Sequence, residues 1–595
     1  MKIPLLRTAI PFVLTLLAGA VAPATAQFTY PECDTLKASD FRVDTLVRGG
    51  AADALTKEPL KMAFSTDAQG NVDVYFVQRH GMVRKYSGAS KTTATIGNLG
   101  FSTGTSLTDS AQIYAGSPAS SEGLMGIALD PNFKTNGWVY LYTTIKSIWR
   151  VQRYKLNGTT LDMASARTVY RFTHPSFSQH MGGAIRFDGE GNFWITVSDN
   201  GSTPSGSSPT TWPEAPDLRY LSSKTNTQFG KILRIRLIPF GDDQNPTPGP
   251  GTTYTIPAGN LRNRFLEIGG RASQDTNKIL PEIYVMGTRN AYTLAIDSVR
   301  KGIAWGDVGP DQFGTNSTNP SQMSEEYNFT TRPGNFGYPY WVGNYNGGIT
   351  LTNAPLATGS TLAAPIATFS SASVSHGGID TLPPARGSII AYGKACAVTG
   401  PVYYYDPKLV STVKFPPHFH GNWFVGDFNN NWIDAVALNA TGDTVRARKK
   451  VFNGGGGTNS ALMKVPVIPA SNGLLEMDMG PDGALYVMNY AGYRSTSATS
   501  GIIRIAYTGS CRPANVSVAF GADLRAPTIR LNGGMVHIAH GGAHRAEIRD
   551  LSGRLIWSRQ GRGPAAYNLQ EAVGTGLRIL TVTVPGETLT RKLFR

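Results

Sequence analysis

The 595-residue sequence predicts an all-β protein: a six-bladed β-propeller over residues 27–512, followed by a small β-sandwich at 513–595. Three observations predict it. Charged residues are only 16% of the chain and glycines number 67, a profile of many turns rather than of Lys/Glu-rich helices. Hydrophobic residues reach 41%, enough for a large core and against disorder. A short pattern also recurs about six times, in which Asp or Asn and Gly lead into an alternating aromatic and β-branched run.

Taken in order, residues 1–26 set Lys2 and Arg7 before an apolar run ending at Ala24-Thr25-Ala26. This is the pattern of a secretory signal peptide cleaved after Ala26. Read as a membrane anchor, the run falls short of the roughly 20 residues a span needs and is broken by Pro11 and Gly19. No later segment is long and apolar enough to cross, so the mature chain is expected to be exported without a transmembrane segment.

The recurring pattern begins at Asp67 before VDVYFV, at Asp130 before WVYLYTT and at Asp188 before NFWITVSD. It returns at Asp297 before IAWGDVG, at Gly421 before NWFVGDF and at Asp482 before ALYVMNY. Each copy joins a turn to a period-two strand, as the inner strands of propeller blades do. A two-sheet sandwich could use the same hairpins, but one motif repeated over such a length suits six blades better. The spacing is uneven, so some blades carry insertions, rich in Gly, Ser, Thr, Asn and Pro at 200–212, 241–255, 314–322 and 343–375.

Three cysteines, Cys33, Cys396 and Cys511, are too few for a disulfide framework. A Cys33–Cys511 bond would tie the ends of the large domain, although Cys396 leaves the pairing open. There is no CxxC, haem-attachment site or zinc-spaced cluster. After Cys511 the texture changes to short alternating segments between Gly/Pro turns, too short for further blades. This tail carries eleven Lys/Arg against five Asp/Glu, so it supplies +6 of the formal +15. No basic run is interleaved with aromatics along one element, which argues against nucleic acid.

Four segments, SEGLMGIALDPNFKTNGWVYLYTT, HMGGAIRFDGEGNFWITVSD, LPEIYVMGTRNAYTLAID and GPDGALYVMNY, resemble in order the glucose/sorbosone dehydrogenase family. The resemblance spans roughly residues 41–507. It implies a secreted six-bladed propeller that oxidises an aldose or related sugar with pyrroloquinoline quinone and calcium, passing electrons to an external acceptor.

By its own chemistry, His180 before a strand can take a proton from a sugar hydroxyl, or merely cap the strand. The resemblance assigns it the role of general base, beside Gln179 at the cofactor. It likewise implies that Arg289 steadies charge on the quinone oxygens, with Asn290 positioning the ligand. Ala291 stands where the family has Pro. Gly309 and Pro310 correspond to carbonyl ligands of calcium, with Asp311 and Glu326 as acidic candidates beside Glu325.

One departure weighs against these matches. Where quinone-binding members carry Arg-x-Arg-Asp, this chain reads Gly473-Leu474-Leu475-Glu476, so the cofactor's carboxylates lose their cations. Lys394, Arg386 or Arg494 are the candidate substitutes. Two other readings therefore stand beside the dehydrogenase. One is a carbohydrate-binding propeller that has lost the quinone site. The other is a calcium-dependent lactonase or hydrolase using Asp307, Asp311 and Glu326.

Tyr403, Tyr404, Tyr405, Trp423 and Trp432 either fill blade cores or form a sugar-stacking surface, with the core favoured. His418 and His420 are spaced to reach one metal, but loop histidines are the simpler reading. The tail, with AEIRDLSGRLIWS and a terminal Arg591-Lys592, resembles the sorting domain of the type IX secretion system. That resemblance implies delivery by the secretion machinery to the cell surface or exterior, with the periplasm as the alternative location.

Overall fold

The computed structural model describes residues 36–48, 58–100, 102–103, 113–114, 122–145, 148–173, 180–200, 221–309, 325–338, 341–342, 349–350, 378–379, 381–393, 395–453, 463–466, 473–491, 500–511, 529–532, 535–538, 542–550, 553–569, 578–584 and 587–593. The chain divides into two compact units, 1–512 and 513–595. The expected signal peptide lies outside the described residues.

The larger unit holds six antiparallel sheets whose innermost strands meet neighbour to neighbour in a closed ring. Blade I begins with Pro59–Thr66, blade II with Gly123–Leu129 and blade III with Ile185–Phe187. Blade IV begins with Ala291–Asp297, blade V with Ala397–Tyr403 and blade VI with Gly473–Met479. Blade VI takes its fourth, outermost strand from the N-terminal Phe41–Arg48, which pairs with Gly501–Tyr507 and locks the ring. This is the six-bladed propeller expected from the repeats.

Each repeat is the second strand of its blade: Val72–Gln78, Trp138–Ile145, Phe193–Val197, Gly302–Asp307, Asn422–Asp427 and Leu485–Tyr490. These strands are flanked on both edges, which explains their nearly unbroken apolar character. The Asp of the motif closes the turn from the first strand. Asp188 accepts the backbone N–H of Glu190 and Asn192, and its second oxygen accepts Trp194 Nε1 at 2.9 Å. Asp130 and Asp482 similarly accept the hydroxyls of Tyr140 and Tyr486, at 3.1 and 3.0 Å. Blade V lacks the Asp, and in its longer connection His420 Nδ1 accepts the Tyr405 N–H.

Tyr403, Tyr405, Trp423 and Trp432 are buried in blade cores, and Tyr404 donates to Asp297 at 2.7 Å. They offer no sugar-stacking surface, because their faces are spent on inter-blade packing. Cys511 is disulfide-bonded and Cys396 is outside any disulfide, which excludes a pairing through Cys396. Cys33 lies outside the described residues.

The smaller unit contains a three-stranded sheet (Ile529–Asn532, Met535–Ile538, Ala565–Asn568) and a four-stranded one (Leu555–Arg562, Ala543–Arg549, Arg578–Val584, Glu587–Leu593). Val536, Ile538, Ala546, Ile548, Leu580 and Val582 form its core. Its Asp550-to-Arg554 turn is closed by Asp550, which accepts the Arg554 N–H at 3.0 Å. Among the described residues no helix is long and apolar enough to cross a membrane.

Candidate active site

His180, Arg289 and Asn290 precede the first strands of blades III and IV, and Asp199 and Asp307 end or follow their second strands. Alternating strand direction therefore delivers all five to one end of the central channel, called here the upper mouth. The chain reaches it through Gly182 and Gly183, at φ +69° and +113°. A Cβ on Gly182 would lie 2.5 Å from the Thr196 carbonyl oxygen, so only glycine lets this segment pass so close.

His180 Nδ1 lies 2.8 Å from Asp199 Oδ1, with both side chains largely buried. The pair fixes the tautomer: Nδ1–H donates to the carboxylate and the Nε2 lone pair is left for a substrate. His180 adopts φ +56°, and Asn200 adopts φ +57°. Two non-glycine residues in the left-handed region at one site store strain that the surroundings hold in place. The Asn200 side chain is fully buried, and among the described residues neither its amide nitrogen nor its oxygen has a hydrogen-bond partner.

Asp307 holds blade IV's contribution. Its carboxylate accepts the N–H of Arg289 at 3.0 Å and of Asn290 at 2.6 Å. Burial pushes its pKa up to about 7 against the pull of those donors. The Arg289 guanidinium turns back to donate to the carbonyls of Val308 and Gly309, both at 2.8 Å. The Arg289 carbonyl accepts the Asp199 N–H, and Ser198 Oγ donates to Asn290 Oδ1 at 2.9 Å, joining the two blades. Tyr338 closes the cluster. Burial and then the negative charge of Asp199 push its phenol well above the usual range, while a hydrogen bond to Arg289 opposes them. Asp199 and Tyr338 were not singled out in the sequence. The aspartate stood inside the quoted ITVSD, whereas nothing local marked the tyrosine.

Gln179, Lys394, Pro310, Asp311 and Arg494 lie outside the described residues. Glu326 sits beside Asp307 in the strand register and accepts Asn328 Nδ2 at 3.1 Å. Glu325 points to blade V, accepts the Ala397 N–H at 2.9 Å and is pushed up to about 8 by burial. Arg386 is spent on Thr330 and the Arg332 carbonyl. His418 packs edge-on against Phe419, and among the described residues no three His, Cys, Asp or Glu side chains group as metal ligands. A calcium ion at Gly309 would face the Arg289 guanidinium, so the described residues do not fit it. The Arg-x-Arg departure is also seen in space. Gly473 and Leu475 stand where the two arginines would be, and Glu476, at the position of the motif's own Asp, pairs with Arg186 at 2.8 Å.

The glucose/sorbosone dehydrogenase family model matches residues 56–256. Aldose sugar dehydrogenase YliI of Escherichia coli (strain K12) is 22% identical over 381 residues, covering 62% of this chain and 74% of that protein. The structure of the soluble aldose sugar dehydrogenase of Escherichia coli in the apo form is 17% identical, covers 78% and 99% of the two chains, and has a TM-score of 0.47. For the pyrroloquinoline-quinone-bound aldose sugar dehydrogenase of Streptomyces coelicolor the values are 16%, 78%, 98% and 0.45.

Proposed function

We propose, on the premise that this chain belongs to the glucose/sorbosone dehydrogenase family through residues 56–256, that it is an exported sugar dehydrogenase acting at the upper mouth. The observation that carries this reading is the His180–Asp199 pair, which leaves Nε2 as a base beside the buried Arg289. Nε2 takes the proton of the anomeric hydroxyl while the carbon gives up its hydride, so an aldose leaves as its lactone. Asp199 holds the ring and stabilises the imidazolium that forms. Pyrroloquinoline quinone, when bound, supplies the two-electron acceptor for that hydride.

Arg289, steadied by the Val308 and Gly309 carbonyls, is the group suited to a quinone oxygen, with Asn290 and the unpaired amide of Asn200 as its polar neighbours. No cation among the described residues replaces the missing Arg-x-Arg, and no step is assigned to calcium. Export through residues 1–26, delivery by the 513–595 domain to the secretion machinery, and an external electron acceptor belong to the same proposal.

The loss of both arginines, at Gly473 and Leu475, favours a second reading, a carbohydrate-binding propeller without redox chemistry. A hydrolase is less well supported, since backbone donors occupy both oxygens of Asp307. The test is dye reduction by the purified full chain supplied with quinone, with and without calcium, across a panel of aldoses. Reduction with at least one aldose is expected. No reduction together with no calorimetric quinone binding sinks the dehydrogenase, and glycan binding that survives His180→Ala favours the second reading.

A further inference from the structure

The channel does not run open from end to end. Blades III and VI face each other across it, as do blades I and IV, and both opposed pairs reach over the axis. Arg186 of blade III bonds Glu476 of blade VI at 2.8 Å and lies 3.4 Å from Asp478. Lys61 of blade I sets its Nζ 3.1 Å from the ring centre of Tyr292 of blade IV. Beyond this double crossing, at the end away from His180, lies a cavity of about 630 Å³. The C-terminal ends of the first strands of blades I, II, III and VI wall it. A second cavity of about 490 Å³ shares Ser65, Thr66, Phe133, Lys134 and Thr135 with it. Together they form one trough running outward between blades I and II.

The lining is largely charge-matched; among the described residues Lys134 is the exception, its ammonium meeting the Thr66 hydroxyl rather than a carboxylate. The Arg186 guanidinium is already met by two carboxylates, and Asp478 is met by Arg186. Asp130 spends its oxygens on its own turn and Tyr140. What remains is a set of fixed donors and acceptors, including the Lys134–Thr66 bond at 2.6 Å, between apolar walls from Met62, Phe64 and Phe187. Largely charge-matched polar groups, with the Lys134 ammonium as a further donor, beside aromatic surface in a cleft within the usual size of ligand pockets, suit a neutral polyhydroxylated ligand. Two adjoining cavities with five wall residues in common suit several linked rings rather than one.

We infer that this lower trough is a binding site for a neutral oligosaccharide, separate from the upper mouth and independent of its redox chemistry. The test is isothermal titration calorimetry of the full chain with cellotetraitol and maltotetraitol, whose reduced ends offer no anomeric hydroxyl to His180. One of them is expected to bind, at least tenfold more weakly to Asp478→Asn and to Phe64→Ala and unchanged in His180→Ala. Dye reduction by Asp478→Asn should stay at the wild-type level. Because Phe64 packs at a tilt against Tyr486 and its loss can disturb folding, the Asp478→Asn result decides. No binding by either alditol, or binding lost in His180→Ala but kept in Asp478→Asn, overturns the inference.

Discussion

The upper mouth and the middle of the channel share residue types, Arg, carboxylates and Tyr, and differ in what is left over. In the middle, Arg186 meets Glu476 and Asp478, the second oxygen of Glu476 accepts the Met62 N–H at 2.7 Å, and Lys61 stacks on Tyr292. At the mouth, the bond to Asp199 uses His180 Nδ1 and leaves Nε2 for a substrate, and among the described residues the Asn200 amide meets no hydrogen-bond partner. Matched polar groups specify a structure, whereas an unmatched buried group costs stability until a ligand meets it. Polar character alone therefore does not mark the site; unspent hydrogen-bonding capacity does.

The largest effect that would sharpen this contrast is His180→Ala. Loss of a general base should lower kcat in dye reduction by about 10³-fold, with the melting temperature within a few degrees of wild type. A fall in melting temperature matching the fall in activity would erase the distinction. Glu476→Ala should do the reverse. Breaking a buried, bonded pair should cost about 3 kcal/mol in chemical denaturation while kcat per folded molecule changes less than threefold.

Lys61 tests the middle of the channel by pH. Burial lowers its pKa to about 7, with the nearby charge of Glu476 opposing. Between about pH 7 and 10.5 the unfolded chain holds this proton and the folded chain does not, so stability rises with pH there, by up to about 1.4 kcal/mol per unit. Lys61→Met should flatten that rise in urea titrations; an unchanged slope would show that Lys61 is not its source. The smallest effect belongs to Asn200→Gly, which accepts φ +57° and deletes the unpaired amide. It should leave the unliganded protein within about 1 kcal/mol of wild type and raise KM for aldose about tenfold, roughly one hydrogen bond's worth. A KM unchanged in that variant would remove Asn200 from the site.

Much of this was legible in the sequence because it is local. The Asp-and-Gly turn leading into an alternating strand needs only a few consecutive residues, and each of the six copies proved to be the same strand of a blade. His180 and Arg289-Asn290 were legible for the same reason, each lying directly before a strand beside glycines or a turn. The replacement of Arg-x-Arg by a segment ending in Glu476 could also be read directly.

The tertiary structure alone decided the partners. Asp199 lies 19 positions from His180 and meets it across the first hairpin of blade III, whereas Glu476 lies 290 positions from Arg186, a separation that only ring closure bridges. It also turned four of the five aromatics of 403–432 inward and closed Arg289 onto the Gly309 carbonyl, where a cation had been expected. Short-range pattern determines which strands form, because turns and alternation are properties of neighbours. Which polar groups are spent and which remain for a ligand depends on what the opposite blade presents, and no stretch of the chain contains that by itself.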